Sequence, residues 1–342
     1  MRILVTGGAG FIGSNFIHIL LAEYPTYEVV ILDKLTYAGN LANLSSVLSR
    51  KNCTFLQGDI TDRAAVEEVM RGCQAVVHFA AETHVDRSIL TPDVFLTTNV
   101  MGTFTLLEAA RACGIARFIQ ISTDEVYGNA LSPEGVSRPS LETDAQRPMS
   151  PYAASKAAAD SLAYSYWTTY RLPVVITRCG NNYGPYQYPE KQLPLFILNA
   201  LEGRPLPIYG TGQNKRDWIH VYDHVRAILT LLHTDGALVH GEIFNIGAGE
   251  ERTILQNATS VLELTGKSRR LIRFVEDRKG HVLRHAVDAS KIKRVCNWRP
   301  LIPFSEGLRQ TVSWYRENRE WLARVRERNN EFLQRALYQG VA

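Results

Sequence analysis

The sequence contains no run of about 18 apolar residues, so it predicts no membrane-spanning helix. The excess of positive over negative charge is also small. A formal net charge of +4 over 342 residues does not indicate nucleic-acid binding, although it suits a small anionic substrate. Cysteines are few, without metal-ligand spacing, and we expect reduced thiols and no metal site. They are Cys53, Cys73, Cys113, Cys179 and Cys296. The first residues lack a signal-peptide pattern, and we expect a cytoplasmic protein.

The first half of the chain alternates short apolar runs with helical patterns. Because the apolar runs show little polar alternation, they predict strands covered on both faces of a parallel sheet. The predicted strands are Ile3–Thr6, Val29–Asp33, Thr54–Gly58, Ala75–Phe79, Phe118–Ser122 and Val174–Arg178. The predicted helices between them are Asn15–Glu23, Ala64–Arg71, Val94–Cys113 and Ala153–Tyr170. This βαβ alternation predicts an α/β fold with a doubly wound, Rossmann-type parallel sheet.

The pattern changes after residue 178. Asn181–Leu193 predicts a long contact-making loop, Glu242–Ile246 a strand, Leu255–Leu264 a helix and Pro303–Leu337 surface helices. Since a single core stops growing near ~250–300 residues, we expect a second, smaller, interleaved C-terminal substrate domain. The predicted boundaries are 1–184 with a return segment at about 218–245 for the cofactor domain, and 185–217 with 246–342 for the substrate domain.

The glycine run from Gly7 to Gly13, which also contains Gly10, Phe11 and Ile12, follows a strand and opens a helix. Such a turn brings backbone N–H groups close to a pyrophosphate, although three spaced glycines can also form a simple turn. Asp33 ends the second strand, where a carboxylate accepts from ribose hydroxyls and repels a 2′-phosphate, or alternatively caps a helix. It favours NAD over NADP. Asp59 and Ile60 follow the third strand and suit the adenine edge.

Tyr152 and Lys156 are four residues apart and lie on one face of a predicted helix. A nearby ammonium, together with the positive nicotinamide ring, favours the phenolate, so we expect the pKa of Tyr152 to fall and the phenol to act as a base. Ser122, Thr123, Asp124 and Glu125 end a predicted strand, and two adjacent carboxylates there suit acid and base work on neighbouring atoms. The alternatives are a solvated helix face and solvated loop acids.

These motifs together resemble the extended short-chain dehydrogenase/reductase superfamily. Within it, residues 122–128 resemble the dTDP-glucose 4,6-dehydratases more than the related epimerases. The supporting runs are residues 80–88, 98–103, 181–186, 216–218 and 277–281, and the resemblance extends over residues 1 to about 315.

The resemblance implies a reaction in which NAD is regenerated. Tyr152, assisted by Lys156, would oxidise the sugar at C4, and Thr123 would hydrogen-bond the C4 oxygen. Glu125 would remove the C5 proton, Asp124 would protonate the leaving 6-hydroxyl, and hydride would return to C6. The remaining cofactor-binding residues by resemblance are Lys34, Leu35, Thr36, Ala80, Ala81, Thr98 and Asn182.

The resemblance also assigns the nucleotide end of a dTDP-sugar substrate. The implied residues are Thr83, Thr123, Asn181, Lys191, Gln192, Pro207, Tyr209, Arg216, Asn245, Arg278 and His281. Arg216 lies in a glycine loop and can grip a diphosphate bidentately, or it is a surface arginine. Val282 and His285 depart from the family pattern, which affects nucleotide packing and the choice of dTDP over UDP. A homodimer through a four-helix bundle is implied, and a UDP-glucose dehydratase or an epimerase is the alternative function.

Overall fold

The computed structural model describes residues 1–131, 136–277 and 280–327, with side chains to residue 325. Seven parallel strands form the main sheet: β1 (Arg2–Thr6), β2 (Glu28–Asp33), β3 (Cys53–Gln57), β4 (Ala75–His78), β5 (Arg117–Thr123), β6 (Val174–Cys179) and β10 (Ile243–Ile246). Their order is β10-β6-β5-β4-β1-β2-β3. The chain adds β2 and β3 on one side of β1 and then β4, β5, β6 and β10 on the other, so the strand order reverses between β1 and β4. This is the predicted doubly wound sheet.

Helices cover both faces of the sheet. The first nine are α1 (Phe11–Glu23), α2 (Arg63–Met70), α3 (Val85–Leu90), α4 (Pro92–Phe95), α5 (Thr103–Cys113), α6 (Pro151–Tyr170), α7 (Gln192–Leu201), α8 (Val221–His233) and α9 (Gly236–Val239). Side chains of β1 alternate between two apolar cores: Ile3 and Val5 pack with α1 and α8, and Leu4 packs with α2, α5 and α6. Two buried faces explain why these strands are almost wholly apolar.

One predicted helix is broken. Residues 94–113 were expected to form a single helix, but a π-helical segment, Leu96–Gly102, separates α4 from α5. Asn99 lies in this segment and is buried, with its side chain bonded to Glu82 and Ser155. Wide π turns often occur at functional positions, and this one brings Thr98 to the main cavity.

The second lobe is built from later segments. Its helices are α10 (Ile254–Thr265), α12 (Phe304–Glu317) and α13 (Arg319–Glu327), and its strands are β7 (Asn181–Tyr183), β8 (Leu206–Tyr209), β9 (Lys215–His220), β11 (Glu251–Thr253), β12 (Ile272–Val275) and β13 (Arg284–His285). Helix α11 (Ser290–Cys296) packs instead against the core of the main sheet, beside β10. A separate apolar core that includes Phe196, Leu262 and Leu308 holds α7, α10 and α12 together. Strand β10 returns to the main sheet between these segments, which explains the interleaving. The exact domain boundaries stay a prediction.

Several local features follow from the sequence. Ser150 caps α6 by accepting from Ala153 N (3.1 Å), with Pro151 in the first turn. The predicted 181–193 loop is wrong at its ends, because 181–183 pair with β9 and α7 starts at residue 192. Residues 328–337 of the predicted tail helices lie outside the described residues. No helix in the described part of the chain is long and apolar enough to cross a membrane.

Candidate active site

A cavity opens at the carboxyl edge of the parallel strands, where β1, β4, β5 and β6 end. The predicted cofactor residues that line it are Gly7, Gly10, Phe11, Ile12, Gly13, Asp33, Lys34, Thr36, Asp59, Ile60, Ala80, Ala81, Thr98, Tyr152, Lys156 and Asn182. Leu35 does not line it; instead its backbone N–H donates to Asp33 Oδ1 (2.8 Å). The catalytic candidates Thr123, Asp124 and Glu125 share the same cavity.

The glycine turn has the shape that a bound dinucleotide requires. Gly7 adopts φ +69°, and a Cβ there would lie 2.5 Å from Ala80 N. A Cβ on Gly13 would collide with the carbonyl oxygen of Gly7. Helix α1 then begins at Phe11 with no side chain capping its first turn. The N-terminal dipole and amides of α1 therefore face the cavity without a side chain in the way, which fits a diphosphate.

Asp33 is fixed by the backbone at the end of β2. Its Oδ2 accepts from Ala9 N (2.9 Å) and its Oδ1 from Leu35 N. Burial raises the pKa of Asp33, and these two backbone donors oppose that rise. A carboxylate held this way beside Gly39 and Thr36 fits the hydroxyls of an adenosine ribose. Asp59 forms an ion pair with Lys34 at 2.6 Å on the neighbouring strand end.

The acid pair sits in a tight turn directly after β5. Thr123 caps a 3₁₀ turn, Asp124–Tyr127, by accepting from Glu125 N (3.2 Å). Gly128 ends the turn at φ +73°, where a Cβ would collide with the carbonyl of Arg147. The turn buries Asp124, whereas Glu125 stays partly exposed to the cavity.

Tyr152 and Lys156 project from α6 toward the same strand end. Both side chains are buried, and Lys156 Nζ donates to the carbonyl oxygen of Ile121 (2.7 Å). The ring of Tyr152 packs edge-on against Phe95 at 6.3 Å between centroids. The predicted helix face is therefore an interior one, so the solvated-face alternative is wrong.

Charges in this cluster shift several pKa values. The pKa of Asp124 lies well above its usual range because the group is buried and because Glu125 and Asp217 are close, while Arg216 opposes the shift. Burial lowers the pKa of Lys156 to about 8, and Asp160 opposes this. Burial and Glu125 raise the pKa of Tyr152. These shifts come from the protein's own groups, and the expectation that Lys156 and the nicotinamide ring together lower the pKa of Tyr152 stays a prediction.

Comparison with known proteins identifies the family to which a chain with this site belongs. The family model described as GDP-mannose 4,6 dehydratase matches residues 4–311. A dTDP-glucose 4,6-dehydratase of Streptomyces niveus is 49% identical over 325 residues, which cover 94% of each chain. One from Salmonella typhimurium is 46% identical over 350 residues, covering 95% of this chain and 96% of that one.

Solved structures agree with these relatives. The crystal structure of a dTDP-glucose 4,6-dehydratase from Streptomyces venezuelae with NAD bound has a TM-score of 0.91 and 50% identity, covering 95% of this chain and 100% of that one. A UDP-glucose 4-epimerase from Thermus thermophilus, in complex with NAD, has a TM-score of 0.84 and 34% identity, covering 93% and 100%. The chain belongs to the dTDP-glucose 4,6-dehydratase family.

The residues that the family pattern implies for the nucleotide are divided by the structure. Thr83, Thr123, Asn181 and Lys191 line the main cavity, and Lys191 Nζ donates to the Thr83 carbonyl (2.8 Å). The others that the structure describes do not line it: Gln192 begins α7, Pro207 and Tyr209 lie in β8, Arg216 lies in β9, and His281 follows β12. Arg278 lies outside the described residues.

Two of these nucleotide candidates are buried in the structure. Arg216 is not a surface arginine, because it is buried and its Nη2 donates to the Val282 carbonyl (2.9 Å). Asn245 is fully buried, accepts from Tyr127 Oη (2.8 Å) and donates to Ser140 O (2.9 Å). Both polar atoms of its side-chain amide therefore form hydrogen bonds within the protein. Asn245 does not line the cavity and instead supports Tyr127 from the interior.

Some residues that line the cavity were not predicted from the sequence. His224 lies at the start of α8, and its Nδ1 is 2.9 Å from Asn182 Oδ1. Burial lowers its pKa to about 3, so the ring is neutral, and its Nε2 has no hydrogen-bond partner in the described part of the chain. Glu190 and Gln187 also line the cavity. The tyrosine- and proline-rich run before α7 is the signal that could have found Glu190 and Gln187, whereas His224 stands in no motif.

Proposed function

We propose that this chain converts dTDP-glucose to dTDP-4-keto-6-deoxyglucose and regenerates NAD in each turnover. The observation that carries the proposal is the placement of Asp124 and Glu125 in the same cavity as Tyr152 and Lys156. A redox step needs only the second pair. Elimination of water beside a ketone needs, in addition, a base and an acid at adjacent carbons, which the first pair supplies.

The residues at the cofactor end fit NAD. The Gly7–Gly13 turn would hold the diphosphate, Asp33 the adenosine ribose, and Tyr152, Lys156 and Asn182 the nicotinamide end. When bound, NAD supplies a reversible acceptor for the electron pair that leaves C4 and is later returned to C6.

The first chemical task of the protein is to move the proton of the sugar 4-hydroxyl. Tyr152 would accept that proton, with Thr123 bonding the C4 oxygen and the Lys156 ammonium supporting the phenolate. Thr123 supports this role because its hydroxyl also lowers the pKa of Tyr152. The Ile121 carbonyl directs the ammonium toward the end of β5.

The second task is removal of water across C5 and C6. Glu125, which stays partly exposed in the cavity, would take the C5 proton. Asp124, whose pKa is raised by burial and by Glu125, would donate to the leaving 6-hydroxyl. The different burial of two neighbouring carboxyl groups thus supports an acid and a base role.

We also propose a homodimer built from the helices around α5 and α6. Large apolar side chains on these elements are exposed: Ile89 (42%), Leu90 (70%), Val94 (42%), Leu96 (55%), Met101 (53%), Phe104 (40%), Tyr164 (48%) and Tyr170 (51%). The elements that carry these side chains pack beside one another, and exposed apolar side chains on neighbouring helices are typical of a protein–protein contact. Two copies of α5 and α6 would make the four-helix bundle that the family pattern implies. The proposed compartment is the cytoplasm, as the sequence predicts.

The test is incubation of the purified protein with dTDP-glucose and, separately, with UDP-glucose. Formation of the 4-keto-6-deoxy product is followed by its absorbance in alkali, and each sugar nucleotide is identified by NMR. We expect product from dTDP-glucose at a much higher kcat/KM than from UDP-glucose. Interconversion of the 4-hydroxyl without loss of water would instead establish the epimerase function, and preference for UDP-glucose would overturn the choice of nucleotide.

A further inference from the structure

A buried ion pair lies directly behind the Tyr152/Lys156 pair. Asp160 is on α6, one turn after Lys156 and two turns after Tyr152, and is 1% exposed. Arg178, on β6, is 3% exposed, and its Nε donates to Asp160 Oδ2 at 2.9 Å. Spacing of four residues places all three α6 side chains on one interior face of the helix.

The pair is anchored on its far side by the last residues of the acid turn. Arg178 Nη1 donates to Tyr127 Oη (2.9 Å), and the guanidinium carbon lies 4.8 Å from the ring centroid. Tyr127 in turn donates to Asn245. These contacts connect Asp160, through Arg178, with Tyr127, which ends the turn that carries Asp124 and Glu125. Lys156 is related to Asp160 by charge and by its position one turn earlier on α6. The contacts also explain what Asn245 does in the interior.

Stability alone is a poor explanation for this pair. Buried ion pairs often contribute little to folding, because desolvation of both charges offsets their attraction, and apolar residues of similar volume serve as well. Charge balance near Lys156 gives a more specific explanation. Asp160 is the anion beside two buried cations, Lys156 and Arg178. An arginine does not lose its proton in a protein, so removal of the anion would leave Lys156 as the group that discharges.

We propose that Asp160, held in place by Arg178, is a positioning residue that keeps the Lys156 ammonium charged and directed at the end of β5. The inference deepens the proposed function, because a charged Lys156 is what the C4 oxidation requires. The other groups facing Lys156 are Tyr152 from the same helix and His78 from β4. His78 is neutral, since burial and the Lys156 charge lower its pKa to about 3. Asp160 is therefore the anion that offsets the burial of Lys156.

The test compares Asp160→Asn, Asp160→Glu and the double variant Asp160→Asn/Arg178→Met, all as NAD-loaded enzyme. The readout is the titration of Lys156 Nζ by NMR in ¹⁵N-lysine-labelled protein, with the signal assigned by Lys156→Met. We expect the Lys156 midpoint to fall by roughly one pH unit or more in Asp160→Asn, the size expected for loss of a nearby opposite charge. The fall should be smaller in the double variant, which also lacks the repelling guanidinium. Asp160→Glu should stay near the parent.

The pH dependence of turnover supplies the second readout. Because a lower Lys156 midpoint means that the ammonium is lost earlier, the alkaline limb of kcat should move to lower pH by the same amount. KM for the sugar nucleotide should stay unchanged, since the pair does not line the cavity. Exposed Glu68→Gln on α2 is the matched charge-removal control and should change neither measurement.

The outcomes separate this inference from the proposed function. An unchanged Lys156 midpoint in both the single and the double variant would overturn it. If Asp160→Asn does not fold, the double variant, which leaves no unpaired arginine, decides the question. If the parent enzyme fails to dehydrate dTDP-glucose, the proposed function falls, whereas the Lys156 titration still tests the role of Asp160.

Discussion

Replacing Asp124 with Asn should separate catalysis from folding. The substitution keeps the size of a side chain that is 3% exposed, but removes the proton that the proposed mechanism delivers to the leaving 6-hydroxyl. General acid catalysis contributes about 10²–10⁴-fold, so turnover should fall by that factor, or ~2.7–5.4 kcal/mol in barrier height. Glu125 is untouched, so exchange of the C5 hydrogen with solvent should continue.

The same substitution should make the fold less sensitive to high pH. Asp124 has a folded-state pKa well above its usual range, so the folded protein holds a proton that the unfolded chain releases above about pH 4. The parent is therefore favoured at low pH and loses stability as pH rises through the folded pKa, by about 1.4 kcal/mol per unit of pKa difference. Asparagine cannot ionise. Between pH 5 and pH 8 the variant should lose less stability than the parent.

The assay combines three measurements at saturating NAD. Product is read by absorbance in alkali, C5 exchange by NMR in heavy water, and stability by denaturant unfolding at pH 5 and pH 8, with Glu68→Gln as the control. With substrate, the variant should also accumulate reduced nicotinamide absorbance near ~340 nm. Turnover within a few-fold of the parent, together with a parental pH dependence of stability, would refute both the acid role and the reasoning from burial.

Four further predictions concern the remaining parts of the site and the surface. Tyr152→Phe should lower turnover by ~10²–10⁴-fold while sparing nucleotide binding by calorimetry, since only the proton acceptor is removed; near-normal turnover would exclude the role. Glu125→Gln should suppress C5 exchange, and exchange at the parental rate would show that another base acts. NAD should co-purify with the protein and not be consumed, so stoichiometric release of NADH with product would contradict the cycle. Phe104→Arg, which places a charge on the exposed α5 surface, should shift the protein from dimer toward monomer by sedimentation, whereas a parental monomer would refute the dimer.

The main sheet was predictable because the residue types of its strands reflect their burial between two layers of helices. A strand such as β6, Val174–Cys179, is buried along its whole length, and its sequence opens with the apolar run Val174–Ile176 that is typical of a strand covered on both faces. The break in the 94–113 helix was not predictable in the same way. All of its residues are compatible with a regular helix, and the wide turn coincides with tertiary bonds from Asn99 to Glu82 and Ser155, which no local pattern encodes.

The site was predictable where a reactive residue type stands at the end of a predicted strand. It was not predictable where the fold determines how deeply a side chain is buried and what it contacts. Asp124 and Glu125 are adjacent carboxylates after β5, but only the fold buries one and leaves the other partly open. Asn245 shows the converse, since an amide that the family pattern assigns to the nucleotide is used in the interior to hold Tyr127.

The pKa of Tyr152 also depends on the surroundings of its side chain in the folded protein. We expect Lys156, one turn away, and the nicotinamide ring together to lower it, whereas burial and Glu125, within the protein itself, raise it. Lys156 is itself weakened as a cation by burial, which brings its pKa to about 8. The protein therefore does not hold a phenolate in advance. It holds a buried phenol beside Lys156, whose charge we propose depends on Asp160, so the positive charge of the oxidised nicotinamide would be needed to favour deprotonation of Tyr152. In the proposed mechanism, Tyr152 would therefore act as the base when NAD is bound in the oxidised state, the state in which C4 oxidation can proceed.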